Sequence, residues 1–380
     1  MKIKHYFWTS VNGWEPTLNN NIDESSQLVF IFGATQLVKY SDCIEDLQKI
    51  YPKALLFGCS TAGEISGTRV LDDSIVATAI YFEHTQIKGI SERIVKIEES
   101  SQIGEKVAAS LNKSDLCHIF VLSDGLTING SELVRGMTKN LPANISITGG
   151  LSGDGDRFYE TYVIYNGKPE KNMVSAVGFY GSKLQIGYGS VGGWDPFGPE
   201  RLVTRSKSNV LYELDGKSAL ELYKMYLGEQ AQNLPASGLL FPLNLRVSGS
   251  NHPVVRTLLS VNEADQCMVF AGDIPEGSYV RLMKANFDRL IDGAAQSAKT
   301  SYESLNSRSP DLAILISCVG RKLILKQRIE EEVESVRDIL GENTFLTGFY
   351  SYGEISPFNK GLQCELHNQT MTITAFSERE

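Results

Sequence analysis

Three short segments, far apart in the chain, combine glycines with hydroxyl and carboxyl side chains. They are Gly58-Cys-Ser-Thr-Ala-Gly-Glu64, Gly149-Gly-Leu-Ser-Gly-Asp-Gly155 and Gly348-Phe-Tyr-Ser-Tyr-Gly-Glu354, called here tips 1, 2 and 3. In each tip a hydroxyl residue follows the first glycine by three positions, and an acid follows within three more. Glycine lets a ligand approach the backbone, hydroxyls donate or accept hydrogen bonds, and a carboxylate binds an ammonium or hydroxyl group. This combination predicts a small-ligand site.

The predicted ligand-binding residues are polar or reactive side chains of the tips and of a later polar cluster. They are Cys59, Ser60, Thr61, Glu64, Ser152, Asp154, Ser351, Tyr352, Glu354, Asn368 and Gln369. The competing interpretation is structural, with tight turns whose acids cap neighbouring amides. His367, beside Asn368, is the candidate ligand for a metal or haem iron, because imidazole is a common metal and haem ligand. Its structural alternative is that the ring satisfies loop carbonyls, and His252 is a further accessible histidine.

A second function remains open at tip 1, where Gly58-Cys-Ser-Thr-Ala62 approximates the GxSxG nucleophile elbow. The residues after it lack the periodicity of the helix that this elbow requires. The alternative function is therefore a hydrolase or acyl transferase with Cys59 or Ser60 as nucleophile, assisted by Glu64 or His367. The structural alternative is that Cys59 is a buried thiol of the hydrophobic core. Another motif, GxGxxG at 187–192, precedes Trp194-Asp-Pro196 rather than a helix, which predicts a turn and no dinucleotide site.

The segments around the tips repeat one order of elements: strand, helix, strand, tip and further strands. Strands are expected at 28–32, 54–57, 74–82, 117–122, 144–148, 161–165, 174–180, 312–317, 344–347 and 369–376. Helices are expected at 41–50, 101–111, 131–140, 287–305 and 325–340. A strand-helix-strand opening requires parallel neighbours, and short turns afterwards favour antiparallel ones. The prediction is an α/β (mixed α+β) fold with mixed sheets, packed helices and tips at the strand ends where ligands usually bind.

Length and composition limit the function classes. The 380 residues predict two or three domains, and two are assigned, 1–198 and 199–380, because a dissimilar stretch lies at 187–284. With 36 basic and 45 acidic residues the formal charge is −9, which disfavours nucleic-acid and anionic-membrane partners. The start has no signal-peptide pattern, and six scattered cysteines without CxxC spacing are typical of reduced thiols. We expect a cytoplasmic protein that is not an enzyme.

Several separated motifs resemble the FIST family in the same order. They are Phe57-Gly-Cys-Ser-Thr-Ala-Gly-Glu-Ile65, Asn209-Val-Leu-Tyr-Glu-Leu-Asp-Gly216, Asp273-Ile-Pro-Glu-Gly277, the run from Gly348 to Pro357, and His367-Asn-Gln-Thr-Met-Thr372. The resemblance extends from about Leu28 to Phe376. It implies an N-terminal and a C-terminal sensory domain, as found in bacterial signalling proteins and some F-box proteins.

The same resemblance implies a function. FIST proteins are expected to bind small ligands, proposed to be amino acids or similar metabolites, and to work beside histidine kinases or cyclic-di-GMP enzymes. Stand-alone members similar in length to this chain include haem-based nitric oxide sensors that regulate a partner kinase. Haem is the cofactor which that subtype implies, with His367 as the candidate iron ligand. No output domain is visible in the sequence, so the signal is expected to pass through a separate protein.

Overall fold

The structure is a computed structural model that describes residues 1–18, 21–40, 42–247, 253–358, 361 and 363–379. Three mixed sheets form a core, and an eight-stranded sheet forms a further unit. We divide the chain into units 1, 2 and 3, with an inserted unit at 195–284 inside unit 3. The predicted boundary at 198/199 falls within the first strand of this inserted unit. His252 lies outside the described residues.

Units 1 and 2 share a strand-helix-strand order that is followed by a hairpin and a closing strand. Unit 1 contains β1 (Lys2–Thr9), β2 (Gly13–Glu15), β3 (Leu28–Ala34), α1 (Thr35–Tyr40), α2 (Cys43–Ile50), β4 (Leu55–Thr61), β5 (Glu64–Ser66), β6 (Arg69–Leu71) and β7 (Ser74–Tyr81). Unit 2 contains β8 (Gln86–Arg93), α3 (Ser100–Leu111), β9 (Leu116–Ser123), α4 (Gly130–Thr138), β10 (Ser146–Leu151), β11 (Val163–Tyr165), β12 (Lys168–Glu170) and β13 (Met173–Tyr180).

Unit 3 is interrupted by the inserted unit. It begins with β14 (Leu184–Val191). The inserted unit contains β15 (Asp195–Lys207), β16 (Val210–Leu214), β17 (Lys217–Ser218), α5 (Ala219–Leu227), β18 (Leu243–Arg246), β19 (Val254–Arg256), β20 (Leu258–Asn262), β21 (Cys267–Phe270) and β22 (Tyr279–Lys284). Unit 3 then continues with α6 (Phe287–Ser304), β23 (Leu312–Cys318), α7 (Val319–Leu325), α8 (Ile329–Leu340), β24 (Phe345–Ser351), β25 (Gly353–Pro357), β26 (Cys364–His367) and β27 (Met371–Glu378).

Each core sheet is built around one parallel pair, which is β3–β4, β9–β10 or β23–β24. The closing strand of the unit, β7, β13 or β27, pairs antiparallel on one side of it. The first strand of each parallel pair reads as a nearly continuous apolar run, such as Leu28-Val-Phe-Ile-Phe32, because both faces of the sheet are covered. The predicted α/β fold with mixed parallel and antiparallel sheets is confirmed.

The three units exchange their hairpins in a cycle. The β5–β6 hairpin of unit 1 joins the sheet of unit 3 by pairing with β24. The β25–β26 hairpin of unit 3 joins the sheet of unit 2 through β10, and β11–β12 of unit 2 joins the sheet of unit 1 through β4. Because every core sheet is completed by strands of another unit, the three units are interlocked and form one body.

Aromatic rings fill the space where the inner faces of the three sheets meet. Phe30 of unit 1 lies against Phe120 of unit 2, with ring centroids 5.2 Å apart, and Phe179 lies 5.5 Å from Phe376 of unit 3. The third link joins Phe32 and Phe349, at 4.7 Å. The inserted unit has a hydrophobic core of its own, which includes Leu211, Tyr223 and Phe270. The core and the inserted unit are therefore packed around separate apolar centres.

Some local expectations were wrong. The strands β4, β10 and β24 continue into the tips, so the first residues of each tip are strand and not loop. The GxGxxG stretch lies mostly in β14 and is not a turn. The helix predicted at 325–340 begins as α8 only at Ile329, after the shorter α7 and a 3-10 turn. No helix in the described ranges combines the length and apolar character needed to cross a membrane.

Candidate functional site

The first glycine of each tip is required by close approach of the neighbouring parallel strand. Gly58 faces Ile31 in the register of its sheet, as Gly149 faces Val121 and Gly348 faces Leu315. A Cβ atom at these glycines would stand 1.7, 1.8 and 1.9 Å from the carbonyl oxygen of the facing residue. No side chain fits at such distances. The first glycine of each tip is therefore required for the two parallel strands to pack at this distance.

The three tips meet and hydrogen-bond to one another through their backbones. The N–H of Ala62 in tip 1 donates to the carbonyl of Tyr350 in tip 3 at 2.8 Å. The equivalent N–H of Gly153 in tip 2 donates to Ser60 in tip 1 at 2.9 Å. Tyr352 in tip 3 completes the cycle by donating to Leu151 in tip 2 at 3.3 Å. Segments far apart in sequence thus come together where the three sheets join.

The acids of tips 1 and 3 are buried, and each accepts hydrogen bonds from a hydroxyl of its own tip and from a residue at the closing strand of its unit. Glu64 accepts hydrogen bonds from the hydroxyl of Thr61 and, at 2.6 Å, from that of Ser74 at the start of β7. Glu354 accepts one from the Ser351 hydroxyl at 2.7 Å and two from the backbone N–H and hydroxyl of Thr370, just before β27, at 3.1 and 3.0 Å. Burial raises the pKa of Glu64 to about 7 and that of Glu354 to about 8.

The acid of tip 2 is one residue closer to its glycine, and its contacts differ. Asp154 accepts hydrogen bonds from the backbone N–H groups of residues 158, 159 and 160, at 2.8 to 2.9 Å, and from the Tyr352 hydroxyl. The Ser152 hydroxyl donates to the carbonyl of Ser123 at 2.9 Å. The shift of one residue therefore directs the carboxylate to a loop instead of a closing strand.

The two candidate nucleophiles are buried, and their surroundings do not activate them. Cys59 has no exposed surface and packs among the central phenylalanines, and desolvation raises the pKa of its thiol well above the ordinary value. The Ser60 hydroxyl donates to the carbonyl of Gly153 at 2.8 Å and accepts from the N–H of Tyr162 at 2.9 Å. A nucleophile requires a base within hydrogen-bond reach, whereas these contacts of Ser60 are with backbone groups.

His367 is held by the backbone at the end of β26. Its Nε2 lies 2.8 Å from the carbonyl oxygen of Ser356, which can only accept, so Nε2 carries the proton. The ring is 1% exposed, and Phe358 stands edge-on to it, with centroids 4.5 Å apart. Desolvation lowers the pKa of His367 to about 4, so the imidazole is neutral at pH 7.

A cavity of about 340 Å³ adjoins His367, and we call it the His367 cavity. Its walls come from the core and from the inserted unit. The lining residues are Ser190, Val191, Gly192, Phe358, His367 and Thr370 of unit 3, and Pro253, Val254 and Val255 of the inserted unit. The Ser190 hydroxyl hydrogen-bonds to the hydroxyls of Thr370 and Thr372 at 3.2 and 2.8 Å, which makes one side of the cavity polar.

Asn368 and Gln369 follow His367 and are fully buried. Within the described chain, both amide atoms of Asn368 and the Oε1 of Gln369 are buried without a hydrogen-bond partner. The backbone carbonyl of Gln369 accepts a hydrogen bond from the Trp194 indole at 2.9 Å. An unsatisfied buried amide costs about 1–3 kcal/mol, and neither side chain is among the described residues that line the His367 cavity.

The cavity is backed by buried arginines. The Arg321 guanidinium binds Glu332 through Nε and Nη2, at 3.0 and 2.7 Å, and also donates to the carbonyl of Gly192. Arg256 is 4% exposed and donates to the carbonyls of Val255 and Leu366, at 3.3 and 3.0 Å. The two guanidinium groups thus bind backbone carbonyls of the cavity-lining residues Gly192 and Val255.

The structure therefore divides the predicted site into two groups. Tip residues 59–64, 152–154 and 351–354 lie at the junction of the three sheets, while His367 lies at the cavity. Thr370 connects the groups, since it lines the cavity and binds Glu354. The sequence analysis did not select Thr370, Ser190 or Phe358 as site residues. For Thr370, the polar segment that follows His367 could have indicated its role. In the described ranges, no three His, Cys, Asp or Glu side chains come together as metal ligands.

Comparison with known proteins identifies the family of the chain. The FIST N domain matches residues 27–217 and the FIST C domain matches residues 219–357. An uncharacterized protein from Methanocaldococcus jannaschii is 25% identical over 363 residues, which cover 89% of this chain and 67% of that protein. The crystal structure of a cyanuric acid hydrolase from A. caulinodans aligns with all of this chain and 99% of its own, with a TM-score of 0.40 and 8% identity. Similarity at that level says nothing about activity.

FIST domains are sensory domains that bind small ligands in signalling. The two matched domains meet near residue 218, at the end of the short strand β17 in the inserted unit. Together they cover the chain from just before β3 to the end of β25, including the inserted unit. The matches cover most of the sequence, and the chain belongs to the FIST family.

Proposed function

We propose that this protein is a cytoplasmic sensor that binds a small molecule in the His367 cavity and passes the signal to a separate protein. The observation that supports this most is the position of the cavity. Residues 190–192, Phe358, His367 and Thr370 of the core face Pro253–Val255 of the inserted unit across it. Ligand sites are usually concave, largely apolar and carry a few polar groups, as this one does.

A ligand between these two bodies has a direct route to conformational change. The inserted unit has its own hydrophobic core, and Phe358 packs against that core while touching His367. A further link is the hydrogen bond from the Arg256 guanidinium of the inserted unit to the carbonyl of Leu366 in the core. A ligand that fits one placement of the inserted unit better than another shifts the population between them. The surface presented to a partner then changes with ligand concentration.

Family membership supports the remaining parts of the proposal. The ligand is an amino acid-like metabolite, and the partner is a histidine kinase or a cyclic-di-GMP enzyme. His367 and Thr370 supply the polar contacts of the ligand. Direct contact by Cys59, Ser60, Thr61, Glu64, Ser152, Asp154, Ser351, Tyr352 or Glu354 stays a prediction, and these side chains are 6% exposed or less.

A second form of the proposal has haem as the ligand, His367 as the iron ligand and nitric oxide as the signal. Its support is that a neutral imidazole fixed through a backbone carbonyl is the usual state of a metal-binding histidine. The fit is poor in one respect. Nε2 is bonded to Ser356, so Nδ1 is the nitrogen left for iron, and the ring carbon beside Nδ1 carries Cβ, which would collide with a porphyrin. The small-metabolite form fits these residues better.

The haem form is tested by adding haem to the purified protein and recording its absorption spectrum. It predicts a Soret band that shifts with nitric oxide and is lost in His367→Ala. An unchanged spectrum in His367→Ala contradicts the assignment of iron to this residue.

The small-metabolite form is tested with a cavity-filling variant. A small-molecule extract of the source cells should raise the melting temperature of the wild-type protein, since a ligand that binds the folded state stabilises it. Val255→Trp should abolish that rise because the indole occupies the cavity. Leu259→Trp, on the next strand along the chain at the opposite end of the sheet and 42% exposed, is the matched control and should keep it. An equal response in both variants would place the ligand elsewhere.

A further inference from the structure

A second cavity lies between unit 2 and unit 3 and is larger than the first. Its volume is about 450 Å³, and we call it the Ile186 cavity. One wall comes from the segment that joins α4 to β10 in unit 2. The other wall comes from β14 and from the β25–β26 hairpin of unit 3. A molecule bound here would contact two of the three interlocked units.

The strand β14 directs apolar side chains into this cavity by simple alternation. Gly187 faces α6, because a Cβ atom there would stand 2.2 Å from the carbonyl oxygen of Ser301. Successive side chains of a strand point to opposite faces, so those of Leu184, Ile186 and Tyr188 point away from α6. All three line the cavity. One face of β14 is therefore packed against a helix, and the other supplies a row of apolar groups to the cavity.

The floor of the Ile186 cavity is buried, and its rim is exposed. Ile147, Leu184 and Pro357 are buried lining residues. Leu184 also belongs to the apolar cluster that contains the central phenylalanines. Residues 142–144 and Gln363 form an exposed rim. Small-molecule sites are concave, mostly apolar and about 300–1,000 Å³ in volume, so this cavity has the size of such a site.

Several polar side chains of the lining already have partners within the fold. The Ser146 hydroxyl lies 2.8 Å from Nδ1 of His118, and the Cys364 thiol donates to the carbonyl of Ile147 at 3.3 Å. The Thr138 hydroxyl donates at 2.9 Å to a carbonyl one turn earlier in α4. Because these groups are engaged, a bound molecule gains most by covering the apolar part of the wall.

We propose that the Ile186 cavity is a second binding site, which takes a small molecule by its hydrocarbon or aromatic part. The apolar part lies on the floor formed by Ile147, Leu184 and Pro357, and a polar end of the molecule lies at the exposed rim. This inference goes beyond the proposed function, because each cavity can be a site without the other.

A fluorescent apolar probe tests the site in the full-length protein. N-phenyl-1-naphthylamine is uncharged and fluoresces more strongly in apolar surroundings, so its titration should show saturable binding. Ile186→Trp should weaken that binding at least about tenfold, because the indole occupies the cavity. Gln185→Trp is the matched control, since it places the same ring on the opposite face of β14 and should keep the affinity. Binding that survives in Ile186→Trp and is lost in Val255→Trp would place the probe in the His367 cavity and overturn the inference.

The thiol of Cys117 provides a second measurement that needs no variant. Cys117 lines the Ile186 cavity and is partly exposed, whereas the other five cysteines are buried. A probe in the cavity covers this thiol, so saturating N-phenyl-1-naphthylamine should slow its alkylation by N-ethylmaleimide at least about fivefold. Mass spectrometry of the labelled peptide gives the rate. An unchanged rate with the probe bound contradicts the assignment of the site.

A pair of competitors tests the class of ligand. 1-Octanol and 1,8-octanediol have the same chain length, but the diol must bury a hydroxyl group when its chain enters the cavity. Octanol should displace the probe at a concentration at least about tenfold lower, because burial of an unpaired hydroxyl is costly. Equal displacement by the two compounds would show that the site does not select an apolar group.

Discussion

The backbone N–H of Ala62 donates to the carbonyl of Tyr350, which joins tip 1 to tip 3. Two equivalent bonds, from Gly153 to Ser60 and from Tyr352 to Leu151, make the arrangement cyclic. The hairpins that follow the tips are exchanged among the sheets in the same cyclic order. The tips are thus the points at which the chain leaves one sheet for another.

The first glycine of each tip should be intolerant of any side chain. In Gly348→Ala the new Cβ would stand 1.9 Å from the carbonyl oxygen of Leu315, so the parallel strands must separate. We expect a loss of about 3 kcal/mol or more in the free energy of unfolding, measured by urea denaturation. Gly155→Ala is the control, because the nearest atom to its new Cβ is 3.9 Å away. It retains a left-handed φ of +78° and should cost about 1–2 kcal/mol. Equal losses in the two variants would contradict the close-approach explanation.

The pair formed by Arg321 and Glu332 should behave as a buried ion pair. Both side chains are 0% exposed, so Arg321→Met leaves a carboxylate without its partner and should cost about 3–5 kcal/mol. Adding Glu332→Leu should recover part of that loss, since the unpaired charge is removed. Arg328→Met, which breaks a pair with Glu331 at the surface, should change stability by less than about 1 kcal/mol. A double variant that is no more stable than Arg321→Met would contradict the interpretation of Arg321 and Glu332 as a buried ion pair.

Stability should fall as pH rises because of Glu354. Its pKa is raised to about 8 in the folded protein, above the ordinary value of 4.5 that the unfolded chain retains. Between these values the folded state keeps a proton that the unfolded state has lost, so the free energy of unfolding decreases with pH, by at most about 1.4 kcal/mol per unit. Glu64 adds a similar effect between 4.5 and about 7.

The Glu354→Gln variant isolates this contribution. The free energy of unfolding of the variant and of the wild type is measured in urea at several pH values. The difference between them should change in favour of the variant as the pH rises from about 5 to 8 and should stay constant above that. Gln can satisfy Thr370 through its carbonyl and Ser351 through its amide, so the fold is retained. Glu45→Gln, at an exposed position of α2, should follow the wild type throughout. Parallel curves for Glu354→Gln and the wild type would mean that Glu354 is ionised in the folded state.

Cys59 should be chemically inert in the folded protein. It has no exposed surface, and its raised pKa keeps the thiolate population small. A thiol reagent at neutral pH should modify Cys117, whose side chain is partly exposed, before it modifies Cys59. Mass spectrometry of the labelled peptides reports the order, and unfolding in urea should make the two thiols equally reactive. Rapid native labelling of Cys59 would revive the hydrolase alternative.

Part of the fold could be predicted because local pattern decides it. Apolar runs such as Leu312-Ala-Ile-Leu-Ile316 form buried strands, and Asn286 caps α6 by accepting from the N–H of Arg289. The α6 helix therefore lies at Phe287–Ser304, against a predicted 287–305. The hairpin β5–β6 was missed because it has three residues in each strand and pairs with a strand of another unit.

The sequence by itself determined that three similar segments would each carry glycine, a hydroxyl and an acid, and that the chain would form α/β units of the FIST type. Local periodicity and spacing are sufficient for the three segments and the α/β units, whereas the FIST type was implied by the resemblance of several separated motifs. Only the tertiary structure decided that the hairpins change sheets, that Glu64 and Glu354 face protein hydroxyls, and that His367 and Thr370 lie across a cavity from Val255. Those relations depend on packing between residues that are far apart in the chain. A sequence pattern does not specify which of these residues come into contact.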